Sequence, residues 1–239
     1  LKRPLGPIPP DAGMHPAVEP GAPRPAWPPQ VWWGDADSVK RLGHWQGRRA
    51  LEGLPRITHV CNTAANAVVL SAEERLEDVR YLDLAMLDAP GVTRGTGLWA
   101  RTERDLRLAL VFMEEAVAEG GVVLVNCWAG QNRSGAVLLA WLLTHRDPDT
   151  GAALGFTPQG ATDHLRSIEP AALNNESLQR CVVEMLEDGT ATTGCVQLLE
   201  PAGTGNARLL QLPPRPPTRP AAEPFEEPVE EGVVLEPLF

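Results

Sequence analysis

The chain has 239 residues, 43% hydrophobic and 22% charged, with a formal net charge of −10. Residues 27–189 hold 15 Lys and Arg against 22 Asp and Glu, so the basic footprint expected for nucleic acid, bulk acidic lipid or another polyanion is missing. The longest apolar run, Ala136–Leu143, is too short for a membrane span, and no secretory signal opens the chain, which starts on Leu1 and not Met as a fragment would.

Ten of the 24 prolines fall in residues 1–29 and nine in 201–239. Such stretches bury little and favour extended, solvated chain, so residues 1–26 and 191–239 read as flexible segments and 27–190 as one domain. The first strand is predicted at Val31–Trp33. The pairs Lys40–Arg41 and Arg48–Arg49 read as solvated loop charges, with a flank for a phosphopeptide as the alternative. Ile57–Asn62 and Arg80–Leu84 have the β-branched and aromatic composition of strands. Asp88-Ala-Pro-Gly reads as a turn. A long amphipathic helix follows at Leu98–Ala118, where Leu106, Leu110, Met113 and Val117 recur at helical steps and Gly120-Gly121 stop it. Val122–Asn126 is the next strand and Gly135–His145 the next helix. Pro158–Ile168 and Asn175–Glu187 make two more, with Leu165, Ile168, Leu178, Val182, Val183 and Leu186 inward. Strands alternating with helices predict an α/β fold, a central sheet covered by helices, with ligands bound at the strands' carboxyl ends. In the tail, Pro213–Pro220 reads as a polyproline II segment that an SH3-like partner could bind, against the plainer reading of a tail with no partner; the acidic run after it has the same standing.

Between the fourth predicted strand and its helix lies C-W-A-G-Q-N-R-S, Cys127 to Ser134. Cysteine, five residues, arginine and a hydroxyl residue, set between a strand and a helix, make a C-x5-R phosphate-binding loop with a thiol at its floor. Such a loop turns backbone N–H groups inward and adds the positive end of a helix, so a dianion is held without metal. Trp128, Ala129, Gly130, Gln131 and Asn132 would supply those groups, and the planar fork of Arg133 would grip two phosphate oxygens. The same field would lower the thiol of Cys127 from about 8.5 toward roughly 3.5–7.5 and make it a nucleophile. Gly130 permits a tight turn, and Ser134 can donate to the sulfur as it leaves. A lone cysteine ending a buried strand is more often structural, but here the spacing, glycine, hydroxyl residue and context agree.

Cys127–Ser134 resembles the signature of the cysteine-dependent protein tyrosine phosphatases, and the surroundings resemble their dual-specificity branch. Val31–Ala36 (V-W-W-G-D-A) is similar to that family's opening strand and turn, Ile57–Ala64 to its next buried strand, and Tyr81–Asp88 to the strand and loop carrying the general acid. The likeness covers roughly Trp27 to Asp188. It implies a phosphatase-like fold with a central mixed sheet flanked by helices, no cofactor and no metal. It also implies a two-step hydrolysis of phosphotyrosine and phosphoserine or phosphothreonine in a phosphorylated protein. A carboxylic acid must protonate the leaving oxygen; Asp83 and Asp88 are the candidates, and the family's Y-x6-D pattern selects Asp88. One position departs: Asn126 stands where the family usually has histidine. Its amide can donate to loop carbonyls but cannot become cationic, which bears on catalytic vigour more than on phosphate binding. Trp128 either lines the pocket mouth or packs against the domain.

The four cysteines, at 61, 127, 181 and 195, have no metal-type spacing and point to a reducing compartment, cytoplasmic or nuclear. Cys61 reads as core. Because some members of the resembled family protect the nucleophile by a reversible disulfide, a Cys61–Cys127 bridge is an expectation, with oxidation of Cys127 to sulfenic acid the more general one. His15, His44, His59, His145 and His164 are scattered and suggest neither a metal site nor a Cys–His dyad. The second functional reading, resting on Asn126, is a pseudophosphatase-like module that binds phosphate and turns little over. In a third, the tails are the function.

Overall fold

The computed structural model describes residues 19, 21–27, 29–147 and 150–187. The expectations about residues 191–239, including the Pro213–Pro220 segment and Cys195, lie outside the described residues. A five-stranded sheet runs in the order β1 (Arg24–Trp27), β2 (Val31–Gly34), β5 (Val123–Asn126), β3 (His59–Asn62), β4 (Arg80–Asp83). The β1–β2 pair is antiparallel and the other three are parallel, so the sheet is mixed, as expected.

Alternation along the strands divides the core in two. Val31, Trp33, Cys61, Val123 and Val125 face one layer, shared with α3 (Gly97–Ala118), α4 (Arg133–Thr144), α5 (Pro158–Ile168) and α6 (Glu176–Glu187). Trp32, Val60 and Leu124 face the other, under α1 (Ala36–Lys40) and α2 (Leu42–Leu51). Every residue of α4 from Ser134 to Leu142 is buried, which explains an apolar run too continuous for an amphipathic surface helix. The stop predicted at Gly120-Gly121 is a Schellman motif: Gly120 N–H donates to Val117 O and Gly121 N–H to Ala116 O. Leu106, Met113, Val117, Leu165, Leu178 and Val182 are buried as expected, while Leu110, Ile168, Val183 and Leu186 are only partly so. No helix among the described residues is long and apolar enough to cross a membrane.

Three elements differ from the sequence expectation. The boundary at 26/27 cuts through β1, whose Ala26 is buried; Pro25 is tolerated because β1 is an edge strand with one neighbour. Of the pairs expected as solvated loop charges, Lys40 ends α1 and Arg48 and Arg49 lie on α2, while Arg41 stands in the turn between the helices; Lys40, Arg41 and Arg48 are exposed. Arg49 is buried, its guanidinium stacked 3.8 Å from the Trp32 ring centre and bonded to Pro55 O. Gln46 on the same helix face exchanges two hydrogen bonds with the backbone of Ile57. Burial of this polar face requires partners from other elements, which a hydrophobic pattern does not announce.

Candidate active site

Gly34, Asn126, Asn62 and Asp83 stand in register at the carboxyl ends of the four parallel strands. The end of β5 is clamped by Thr63, whose N–H and hydroxyl both donate to Asn126 O, at 2.9 and 2.8 Å. From there the chain turns through residues 127–132 into α4. Cys127 is 2% exposed. Ser134 Oγ donates to its sulfur at 3.1 Å, and Trp33 Nε1 donates to that same Oγ at 2.8 Å. With one lone pair occupied by the indole, the hydroxyl hydrogen is directed at the sulfur.

The loop is braced from two sides. Gly130 has φ +64°, and a Cβ there would lie 2.9 Å from Gly34 O, so only glycine fits both the conformation and the contact. Ala36 N–H donates to Trp128 O at 3.1 Å, tying the start of α1 to the loop. On the other side Leu173 N–H donates to Gln131 O and Asn175 N–H to Asn132 Oδ1. Asn132 is the N-cap residue of α4 but makes no side-chain cap bond, so the first-turn N–H groups have no side-chain acceptor from it. Arg133 opens the helix, and its buried Nε has no partner in the protein. A helix N-terminus without a side-chain cap and a buried guanidinium nitrogen with no protein partner are ingredients of a phosphate site.

The structure brings Asp88 to this loop: Asn132 Nδ2 donates to Asp88 Oδ2 at 3.1 Å and Asn175 Nδ2 to Asp88 Oδ1 at 2.9 Å. Asp83 is elsewhere, accepting from Asn62 Nδ2 at 3.0 Å and paired with Arg75. Trp128 is 56% exposed, so it does not pack into the domain. Asn126 corrects an expectation: its Nδ2 turns to Asn62 Oδ1 at 3.4 Å and not to loop carbonyls, because the neighbouring strand end presents a polar partner in register. The disulfide expectation finds no support, since Cys61 packs in the α3–α6 layer, Cys127 belongs to the α1–α2 layer, and both are free. Sequence reasoning missed Trp33, Thr63, Asn62 and Asn175. Trp33 carried a faint signal, as the second tryptophan of an alternating strand, and the others carried none.

A family model, that of the dual specificity phosphatase catalytic domain, matches residues 50–187. The chain belongs to this family of phosphatases. It is 36% identical over 157 residues to the phosphatidylglycerophosphate phosphatase PTPMT2 of Arabidopsis thaliana, the match taking in 64% of this chain and 61% of the plant protein. It is also 30% identical over 151 residues to dual specificity protein phosphatase 12 of Mus musculus, over 63% of this chain and 38% of the mouse protein. The chain thus spans under two thirds of either relative. Among solved structures, the human tyrosine phosphatase-like serine/threonine/tyrosine-interacting protein shares the fold with a TM-score of 0.52 at 19% identity, covering 70% of this chain and 97% of that one. The Yvh1 phosphatase domain from Chaetomium thermophilum does so at 0.50 and 19%, over 70% and 96%. The chain shares the mixed sheet and flanking helices of these structural relatives.

Proposed function

We propose that this phosphatase hydrolyses a phosphomonoester through a phosphocysteine at Cys127. The observation that carries the reading is the bond from Asn132 to Asp88, which joins a carboxylate 44 residues upstream to the loop that holds the thiol. In the first step the Cys127 sulfur attacks phosphorus, the ester P–O bond breaks, and Asp88 gives its proton to the leaving oxygen. Arg133 and the loop N–H groups hold the three remaining oxygens, most strongly as charge builds in the transition state. In the second step water attacks phosphorus, Asp88 takes its proton, and the S–P bond breaks with Ser134 donating to the departing sulfur. A reaction through a free thiol suits a reducing compartment, cytoplasmic or nuclear.

For substrate, a phosphorylated protein is the first reading, supported by the family and by the mouse relative. A phospholipid monoester is the second, favoured by the name of the plant relative and by an exposed tryptophan beside the nucleophile, of the amphipathic kind that suits a lipid interface. Phosphate release from a phosphotyrosine peptide set against release from phosphatidylglycerophosphate in mixed micelles separates the two.

Hydrolysis of phenyl phosphate from about pH 5 to about pH 8 tests the chemistry. Activity abolished in Cys127→Ser and strongly reduced in Asp88→Ala is the expected result. A natural chain that matches Cys127→Ser while still binding phosphate would instead be the binding module that Asn126 raised.

A further inference from the structure

The acid segment runs at the surface between two buried residues, Met86 and Val92. Asp88, Pro90 and Gly91 are exposed, and Pro90 and Gly91 break regular structure just after the carboxylate. Yet an acid works only if its proton is delivered along one line, so something else must set its place.

The α5–α6 connection supplies it. Asn175 precedes the first residue of α6, and its Nδ2 donates both to Asp88 Oδ1 at 2.9 Å and to Ala89 O at 3.1 Å. Asn132 Nδ2 holds the other carboxylate oxygen at 3.1 Å. The two amides are themselves joined, Asn175 N–H donating to Asn132 Oδ1 at 3.1 Å. Asp88, Asn132 and Asn175 therefore close a triangle between three separate segments. A second tie runs from Gly91 N–H to Ser177 Oγ, 2.9 Å, one step into α6. The base of this clamp is rigid, because α6 is anchored in the core by Leu178, Cys181, Val182 and Met185.

The approach to Asn175 is strained in a way that points to the same purpose. Leu173 has φ 55°, the left-handed region that a branched side chain avoids, and it is fully buried. Its conformation is held by its N–H to Gln131 O and by donors to its carbonyl from Arg166 and Gln179. A strained residue persists only where neighbours over-determine it. Here they turn the chain so that Asn175 meets the acid loop and the thiol loop together.

We propose that Asn175 is a positioning residue for the general acid: it references the Asp88 carboxylate to the buried helix α6 and to Asn132 of the thiol loop. This rests on the reading of Asp88 as acid. Asn175 also caps α6, its Oδ1 accepting from Ser177 N–H at 3.1 Å. Ser and Thr also cap helices but lack the amide donor and add no charge beside Asp88, so Asn175→Ser and Asn175→Thr remove the clamp and keep the helix start.

The test compares phenyl phosphate, whose leaving oxygen needs the proton, with 4-nitrophenyl phosphate, whose leaving oxygen needs it far less. Both variants are expected to lose about tenfold or more in kcat/KM on phenyl phosphate, which reports the first step alone, and much less on 4-nitrophenyl phosphate. Orthovanadate inhibition and Tm should stay at the natural values, and in an Asp88→Asn background neither variant should add a loss. Equal losses on the two esters, a further loss on top of Asp88→Asn, or no loss at all would overturn the proposal. The Asp88→Asn arm isolates the underlying reading. If that variant loses both esters equally, the acid assignment falls and the proposal with it. If it discriminates while the Asn175 variants do not, only the proposal falls.

Discussion

The indole of Trp33 on β2 donates to the hydroxyl of Ser134 on α4 across 2.8 Å, joining residues 101 apart in the chain directly above the Cys127 sulfur. The bond decides which way the hydroxyl points. Ser134→Ala should therefore leave the first step near its natural rate and slow release of phosphate from sulfur, since a hydrogen bond to a charged group is worth about 1.5–3 kcal/mol, or roughly 10–100-fold. A pre-steady-state burst of undiminished size followed by slow turnover is the expected trace. Trp33→Phe should show a milder form of the defect and a loss of about 2 kcal/mol in unfolding free energy, from the lost bond and buried volume.

Gly130→Ala places a Cβ 2.9 Å from the Gly34 carbonyl in a backbone with φ +64°. The loop must open or the strand end must move. An unfolding free energy lower by about 1–3 kcal/mol is expected, with weakened orthovanadate inhibition. Chemical denaturation and inhibition titrations read both. Unchanged inhibition would mean the loop tolerates displacement at its middle.

Arg133 Nε is buried without a protein partner, which suits the proposed role of gripping phosphate. Lysine keeps the charge but not the fork. Arg133→Lys should lower kcat by about 100-fold, the usual scale for a transition-state donor, while Tm changes little because no protein bond is broken. A large fall in Tm would assign the arginine a structural part.

His59 opens β3 in a buried position, edge-on to Phe112, and its imidazole is pushed down to about 4 by burial first and by the Arg80 charge second, with Glu119 opposing. The unfolded chain protonates this group near pH 6.5. Its contribution is complete above that pH and is lost as pH falls toward 4, because only the unfolded state takes up the proton. Over that window the natural protein should lose about 2 kcal/mol more stability than His59→Gln. Parallel acid-dependence of the two proteins would show that His59 protonates within the fold.

The strands at 31–34, 59–62, 80–83 and 123–126 and the helices α3–α6 were legible because apolar residues recur there at the period of the element. The Cys127–Ser134 loop was legible because phosphate binding at a helix start uses consecutive residues, so its chemistry is written contiguously. β1 was hidden by Pro25, which composition assigns to a flexible segment and the sheet accepts at its edge. α2 was hidden because Gln46 and Arg49 sit on its buried face.

The sequence by itself determined four of the five strands, the helices α3–α6, the thiol loop and a choice of two carboxylates. Only tertiary structure decided that Trp33 would orient Ser134, that Asn126 would turn to Asn62, and that Asn175 would hold Asp88 from 87 residues away. Periodicity and turn chemistry act over a few residues and leave a mark in composition. A single hydrogen bond between distant segments leaves none, because its partner is selected by how the sheet and helices pack.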